Sequence, residues 1–300
     1  GNTKERPLGF AAHMDQIEPC RNVNPVINGN IISTDKTTTL GGDDKAGISA
    51  IMEAVEDIIE SGVPHRDIYL VFTCSEEISM MGTKHMDMSM LPCKELVVVD
   101  ATGGAETLAY KAPAMEAIEI TFKGKKAHAG IEPEKGINAI VVASKAISKM
   151  HIGRIDYETT SNIGHIEGGS ATNIVTDEVT FTAEIRSHSM EKLAAEVTHM
   201  EQCCKEAVEE MGACYEMKHE MAYPVLSLEE DCELIQDTVN AMAEERITAN
   251  KMIIGGGSDA NVLAGHGYKS VILGCGMINV HTVEEALDTD ETWKVTKVLR

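Results

Sequence analysis

The chain has 300 residues, 43% of them apolar and only 4% aromatic, with a formal net charge of -22. That length and apolar content allow one large domain or two modest ones with aliphatic cores, and they exclude a disordered chain. So acidic a surface repels nucleic acid and anionic membrane, and neither is expected as a partner.

Leu8 to Ala12 reads as a short buried strand, with His13 directly after it. A polar loop follows, carrying Pro19, Pro25 and the turn-prone Asn28-Gly29-Asn30. "GGDDKAG" opens a helix in which Ile48, Ile51, Val55, Ile58 and Ile59 recur at helical spacing, and Gly62 stops it. "IYLVFT" is a buried strand running into Glu76 and Glu77, and "ELVVV" is another ending at Asp100. Strand, helix, strand, loop, strand predicts an α/β fold with a mostly parallel sheet.

The pattern changes near Ala112. Ile118, Ile120 and Phe122 alternate along one strand, with Glu116, Glu119 and Thr121 among the intervening positions. Val179, Phe181, Ala183 and Ile185 alternate along another. Alternation marks half-exposed antiparallel strands. A helix around residues 136–150 lies between them, and a long charged helix from about Met190 to Met211 follows. A smaller α+β domain over residues 112–223 is therefore expected, inserted between residues 1–111 and 224–300 of the first domain. Pro224 marks the return. The next helix begins near Ser227, with Ser227 and Glu230 as its capping box. "KSVILGCG" is the last strand, and His281 lies beyond it.

Eight cysteines without a C-x-x-C pair, in a chain too large to need a disulfide framework, read as reduced thiols and predict a cytoplasmic protein. No apolar run approaches a membrane span, and no signal peptide opens the chain. Both ends read as cut, so an amino-terminal segment is expected to be missing.

Five metal-capable residues stand out: His13, Asp43, Glu77, Asp100 and His281. Each is read as following a hydrophobic run that forms a strand, with Asp43 also at the mouth of a helix. Open α/β sheets bind ligands at the carboxyl ends of their strands, so such residues can converge. Two histidines and three carboxylates suit zinc, and five is one more than a single tetrahedral ion needs. If one carboxylate bridges, two ions fit, each with three protein ligands and an open position. Each piece also has a plainer reading: Asp43 as a helix cap, His13-x-Asp15 as a loop pair, Glu76-Glu77 as a solvated turn. In the metal reading Asp15 orients the His13 ring. Adjacent Glu76 and Glu77 divide the work, Glu77 as ligand and Glu76 as general base for an activated water. The remaining histidines, His65, His85, His151, His165, His188, His199, His219 and His266, read as surface or packing residues.

The ordered set H-M-D, G-G-D-D-K-A-G, S-E-E, V-V-D-A-T-G-G and V-H-T-V-E-E resembles the zinc exopeptidases of the aminoacylase and carboxypeptidase-G type, in particular their peptidase-T-like members. The resemblance runs nearly end to end and extends to "GKKAHAGIEPEKGINAI" and "GGSATNIVTDEVTFTAEIRS" in the second domain. It implies a catalytic domain holding two zinc ions, with cobalt or manganese as substitutes, and an inserted lid that forms a homodimer. His13 and Asp100 would hold one ion, Glu77 and His281 the other, with Asp43 between them and a cis peptide joining Asp43 to Asp44. His128 in the lid would stabilise the oxyanion, and Asn173 and Arg186 would bind the polar or carboxylate end of a short peptide. The family begins with a further helix and strand, and its peptidase-T-like members place an arginine where Gly255 stands here. The implied activity is a tripeptidase-type aminopeptidase. The rival readings are a same-fold amidohydrolase acting on N-acyl amino acids or dipeptides, and a non-catalytic metal-binding dimer.

Overall fold

Short aliphatic runs bounded by turn residues become strands here, and longer runs with apolar residues every third or fourth place become helices. The computed structural model describes residues 1–300. It divides into one unit made of Gly1–Ala112 with Leu226–Arg300 and a second made of Pro113–Val225. The first unit starts with β1 (Leu8–His13), β2 (Pro25–Asn28), β3 (Ile31–Thr34), α1 (Gly42–Ser61), β4 (Ile68–Thr73), α2 (Met81–His85), β5 (Glu95–Thr102) and β6 (Thr107–Ala112). The second holds β7 (Ala114–Lys123), α3 (Ala139–Ile147), β8 (Gly153–Arg154), β9 (Thr159–Gly168), β10 (Glu178–Ser187), α4 (Met190–Met211) and β11 (Cys214–Tyr223). The chain then returns to the first unit through β12 (Leu226–Ser227), α5 (Glu233–Glu244), β13 (Asn250–Ile253), α6 (Asp259–Gly265), β14 (Lys269–Ile278), β15 (Ala286–Asp288) and α7 (Thr289–Leu299).

Four parallel strands in the order β4-β1-β5-β14 form the centre of the first unit's sheet. Antiparallel strands extend it on the β14 side. The middles of β1, β5 and β14, residues 10–12, 96–99 and 271–273, are apolar because both faces are covered. Phe10, Val97, Val99, Val271 and Leu273 pack into one core, and Ala11, Leu96, Val98 and Ile272 into another. Each valine, leucine, isoleucine or phenylalanine among them contributes about 1.5–3 kcal/mol when fully buried. Helix α1 lies on the first of these faces through Ala46, Ala50, Ile51, Ala54 and Ile58. Gly47 permits that approach, since a Cβ there would stand 2.1 Å from the Val99 carbonyl oxygen. Ile59, one residue past the buried stripe, is 70% exposed.

In the second unit, five antiparallel strands run in the order β11-β7-β10-β9-β8. Helices α3 and α4 cover one face, packing Val142, Ala146, Met200 and Cys204 against Ile118, Phe122, Phe181 and Ile185. Asn138 and Ser189 cap these helices by accepting backbone N–H bonds. Glu116 corrects the alternation expected from the sequence. It shares the buried parity of Ile118, is 8% exposed, and is held by His219 Nδ1 at 2.5 Å.

Two further expectations need correction. The polar stretch after His13 contains a hairpin, β2 and β3, turning at Gly29 with φ +63. Helix α5 starts at Glu233, with Cys232 as its N-cap residue and no side-chain cap. Ser227 is engaged in β12, paired with Lys111 of β6, and Glu230 binds the Tyr110 hydroxyl and Lys251 instead. No helix is long and apolar enough to cross a membrane.

Candidate metal centre

Strand register places the first two candidates side by side. Ala11 pairs with Val98, so His13 and Asp100, each two residues further on, end up on neighbouring strands with the same facing. His13 pairs with Thr73, the last residue of β4, and the Glu76–Glu77 turn follows. Asp43 and Asp44 have non-helical dihedrals at the start of α1, and the peptide between them is cis. Asp44 then acts as the working helix cap. Its Oδ1 accepts the Gly47 N–H at 3.1 Å and its Oδ2 accepts the His13 N–H at 3.2 Å.

These elements bring all five sequence candidates together. His13 Nε2 lies 2.8 Å from Asp43 Oδ1 and 3.6 Å from Asp100 Oδ1. His281 Nε2 lies 3.2 Å from Asp43 Oδ2 and 3.0 Å from Glu77 Oε2. Asp43 thus turns one oxygen toward each imidazole. The ligand atoms of His13, Asp43 and Glu77 fall within 4.8 Å of one another, as do those of His13, Asp44 and Asp100. Asp15 Oδ1 is 3.4 Å from His13 Nδ1, and the same carboxylate accepts the backbone N–H groups of Glu76 and Glu77 at 3.0 and 3.2 Å. Asp15 therefore holds the turn that presents both glutamates.

Two observations fit this donor set to divalent cations. The ion pairs these acids make are with His13 and His281, not with lysine or arginine. Glu77 Oε1 is also buried with no hydrogen-bond partner, a costly state for a carboxylate oxygen unless a cation meets it. The protein groups alone balance their charge by holding protons. Burial, reinforced by the Asp100 charge, pushes Glu76 up to about 9. Burial also pushes Asp100 up to about 7 against the opposing hydrogen bond from His13. Burial disfavours the charged form of His13, yet Asp100, Asp43 and Asp44 outweigh it and carry the imidazole up to about 12. Acids crowded without a counter-charge behave this way, and metal ligands must shed such protons to bind.

Sequence reasoning missed three supporting residues. Asp44 entered only as the residue after Asp43 in the expected cis peptide, with no role of its own. Asp259, 3% exposed, accepts a hydrogen bond from the Thr73 hydroxyl at the end of β4. Glu285, 2% exposed, accepts three backbone N–H groups from Leu40, Gly41 and Asp43. The motif V-H-T-V-E-E contains Glu285, but spacing alone could not show what it reaches.

The remaining candidates lie in the second unit. His128 is exposed and sits beside Asn173, because the Ala129 N–H donates to the Asn173 carbonyl at 3.0 Å and the Val175 N–H to the Ala127 carbonyl at 2.9 Å. Arg186, on the half-exposed face of β10, binds Glu184 through Nε and Nη2 at 2.9 and 3.0 Å.

Comparison with known proteins is consistent along the chain. A family model described as "Peptidase dimerisation domain" matches residues 115–212, and one described as "M42 glutamyl aminopeptidase" matches residues 17–124. An uncharacterised protein of Bacillus subtilis is 40% identical over 299 residues, covering 100% of this chain and 81% of that one. The crystal structure of the aminopeptidase PepT from Bacillus cereus superposes with a TM-score of 0.90 at 37% identity, over 98% of this chain and 79% of that one. A tripeptidase from Staphylococcus aureus gives 0.94 at 36%, with the same coverage.

Proposed function

The chain belongs to the peptidase-T-like metal-dependent peptidases, and on that premise we propose that it is a two-zinc aminopeptidase that hydrolyses short peptides. The observation that carries the two-ion reading is the Asp43 carboxylate, with one oxygen near His13 and the other near His281. His13 and Asp100 would hold one ion, Glu77 and His281 the other, and Asp43 both. Bound there, zinc would supply polarisation of the substrate carbonyl and a water acidic enough to ionise near neutral pH.

Glu76 is the general base. Half-buried in the turn held by Asp15 and next to the ligand Glu77, its carboxylate would take the water's proton and return it to the leaving amine. Asp15 fixes the Glu76–Glu77 turn through two backbone hydrogen bonds, separating the two roles. His128 donates to the developing oxyanion, while Asn173 and Arg186 bind the polar or carboxylate end of the peptide. We assign the catalytic role to the first unit, and the lid and homodimer role to the second. The eight free cysteines suit a reducing cytoplasm.

The test is a panel of free-amino tripeptides, dipeptides and N-acyl amino acids offered to zinc-loaded protein. Free-amino tripeptides should be cleaved best, and the activity should disappear with a chelator and return with zinc. Preference for N-acyl amino acids would instead make the protein an amidohydrolase.

A further inference from the structure

His13 and Asp100 stand on the two central strands β1 and β5, where the sheet fixes them. Asp43 and His281 have no such support. Asp43 lies in the irregular entry to α1, after Gly41 at φ +77. His281 lies in the loop between β14 and β15 at φ +65, with its side chain 54% exposed. Yet these two residues must meet across a gap of about 3 Å for the His281 half of the site to exist.

We propose that Glu285 is the positioning residue that locks the Asp43 loop to the His281 loop and so builds that half of the site. Glu285 Oε2 accepts the N–H groups of Leu40 at 2.7 Å and Gly41 at 2.9 Å, and Oε1 accepts the N–H of Asp43 itself at 3.0 Å. The Glu285 N–H in turn donates to the Thr282 carbonyl at 3.2 Å, and the Thr282 hydroxyl donates to the Asn279 carbonyl at 2.7 Å. One buried carboxylate therefore grips one loop while its own backbone closes the other around His281. Only an acceptor-only group with two oxygens matches three converging N–H donors. The absence of a Cβ at Gly42 leaves room for this grip, since a Cβ there would stand 3.2 Å from Glu285 Oε1. Glu285 does not touch the ions' donor atoms and acts only through Asp43 and His281.

The inference rests on the two-zinc reading and is tested by zinc titration against a chromophoric chelator. Wild-type protein should bind two Zn²⁺ in resolvable steps, and His281→Ala should remove one step and identify it. Glu285→Gln replaces one acceptor with a donor aimed at backbone N–H groups. It should weaken the step identified by His281→Ala about 10–100-fold and leave the other step within about threefold. Glu285→Asp keeps the charge but shortens the reach by one methylene, and it should shift the same step in the same direction. Equal weakening of both steps, no weakening, or a metal-free protein that no longer folds with either variant would make Glu285 a structural residue and overturn the positioning role alone. Wild-type protein binding fewer than two Zn²⁺ would overturn the two-zinc reading and this inference with it, and no variant is needed to see that.

Discussion

Glu76 and Glu77 are neighbours in sequence and opposites in chemistry. Glu77 points one oxygen at His281, 3.0 Å away, and buries the other without a partner, as a ligand does. Glu76, in the proposed reaction, is the base, and only in the metal-free protein do burial and the charge of Asp100 hold a proton on it. Glu76→Gln keeps the size and cannot accept the water's proton. It should lower kcat by about 10²–10⁴ while the zinc content measured by atomic absorption stays at the wild-type value. A rate near wild type would remove Glu76 from the reaction. At this scale the sequence exposes residues that sit at the ends of strands, because strand ends are legible. His13, Glu77, Asp100 and His281 were found that way. Asp44, Asp259 and Glu285 escaped because they act on backbone N–H groups or a hydroxyl that only the fold brings near. Glu285 and Leu40 are separated by 245 residues, and no local pattern records that pairing.

Elements were legible where burial is uniform. β1, β5 and β14 are apolar through their middles because the parallel sheet is covered on both faces there, and α1 shows its stripe because only one face is buried. The hairpin was not legible. β2 is exposed at all four positions, so no core imposes a period on it, and Pro25 opens the strand where a missing N–H does little harm. The start of α5 was misplaced because a capping box is a local signal, and Ser227 was already committed to pairing with β6. Glu116 was misread for a related reason. A carboxylate on a buried parity looks like an error in the alternation until the partner strand supplies His219.

For the whole molecule, the cluster of acids costs stability that bound cations would restore. Glu76 and Asp100 have folded-state values of about 9 and about 7, both above their ordinary values, and His13 is raised to about 12. For each, the folded protein keeps a proton that the unfolded chain has released, so the metal-free protein loses stability as pH rises. The loss begins above the ordinary carboxylate value for the two acids and above the ordinary imidazole value for His13. Carboxylates lowered on folding, such as Asp156 at about 2 beside Lys192, act with the opposite sign but only in strong acid. The metal-free protein should therefore melt at a lower temperature at pH 8.5 than at pH 6 in differential scanning calorimetry. Saturating zinc should shrink or reverse that difference, because the ions replace the protons. A metal-free protein that melts higher at pH 8.5 would contradict the charge balance described for the site.

The central claim is that Asp43 stands between two zinc ions held by residues from five separate segments of the chain. The most direct measurement is anomalous X-ray diffraction at the zinc edge from crystals of the zinc-loaded protein. Two peaks about 3.5–4 Å apart should flank the Asp43 carboxylate, one beside His13 and Asp100 and the other beside Glu77 and His281. A single peak at this cluster, or zinc bound elsewhere with these five side chains unengaged, would contradict it.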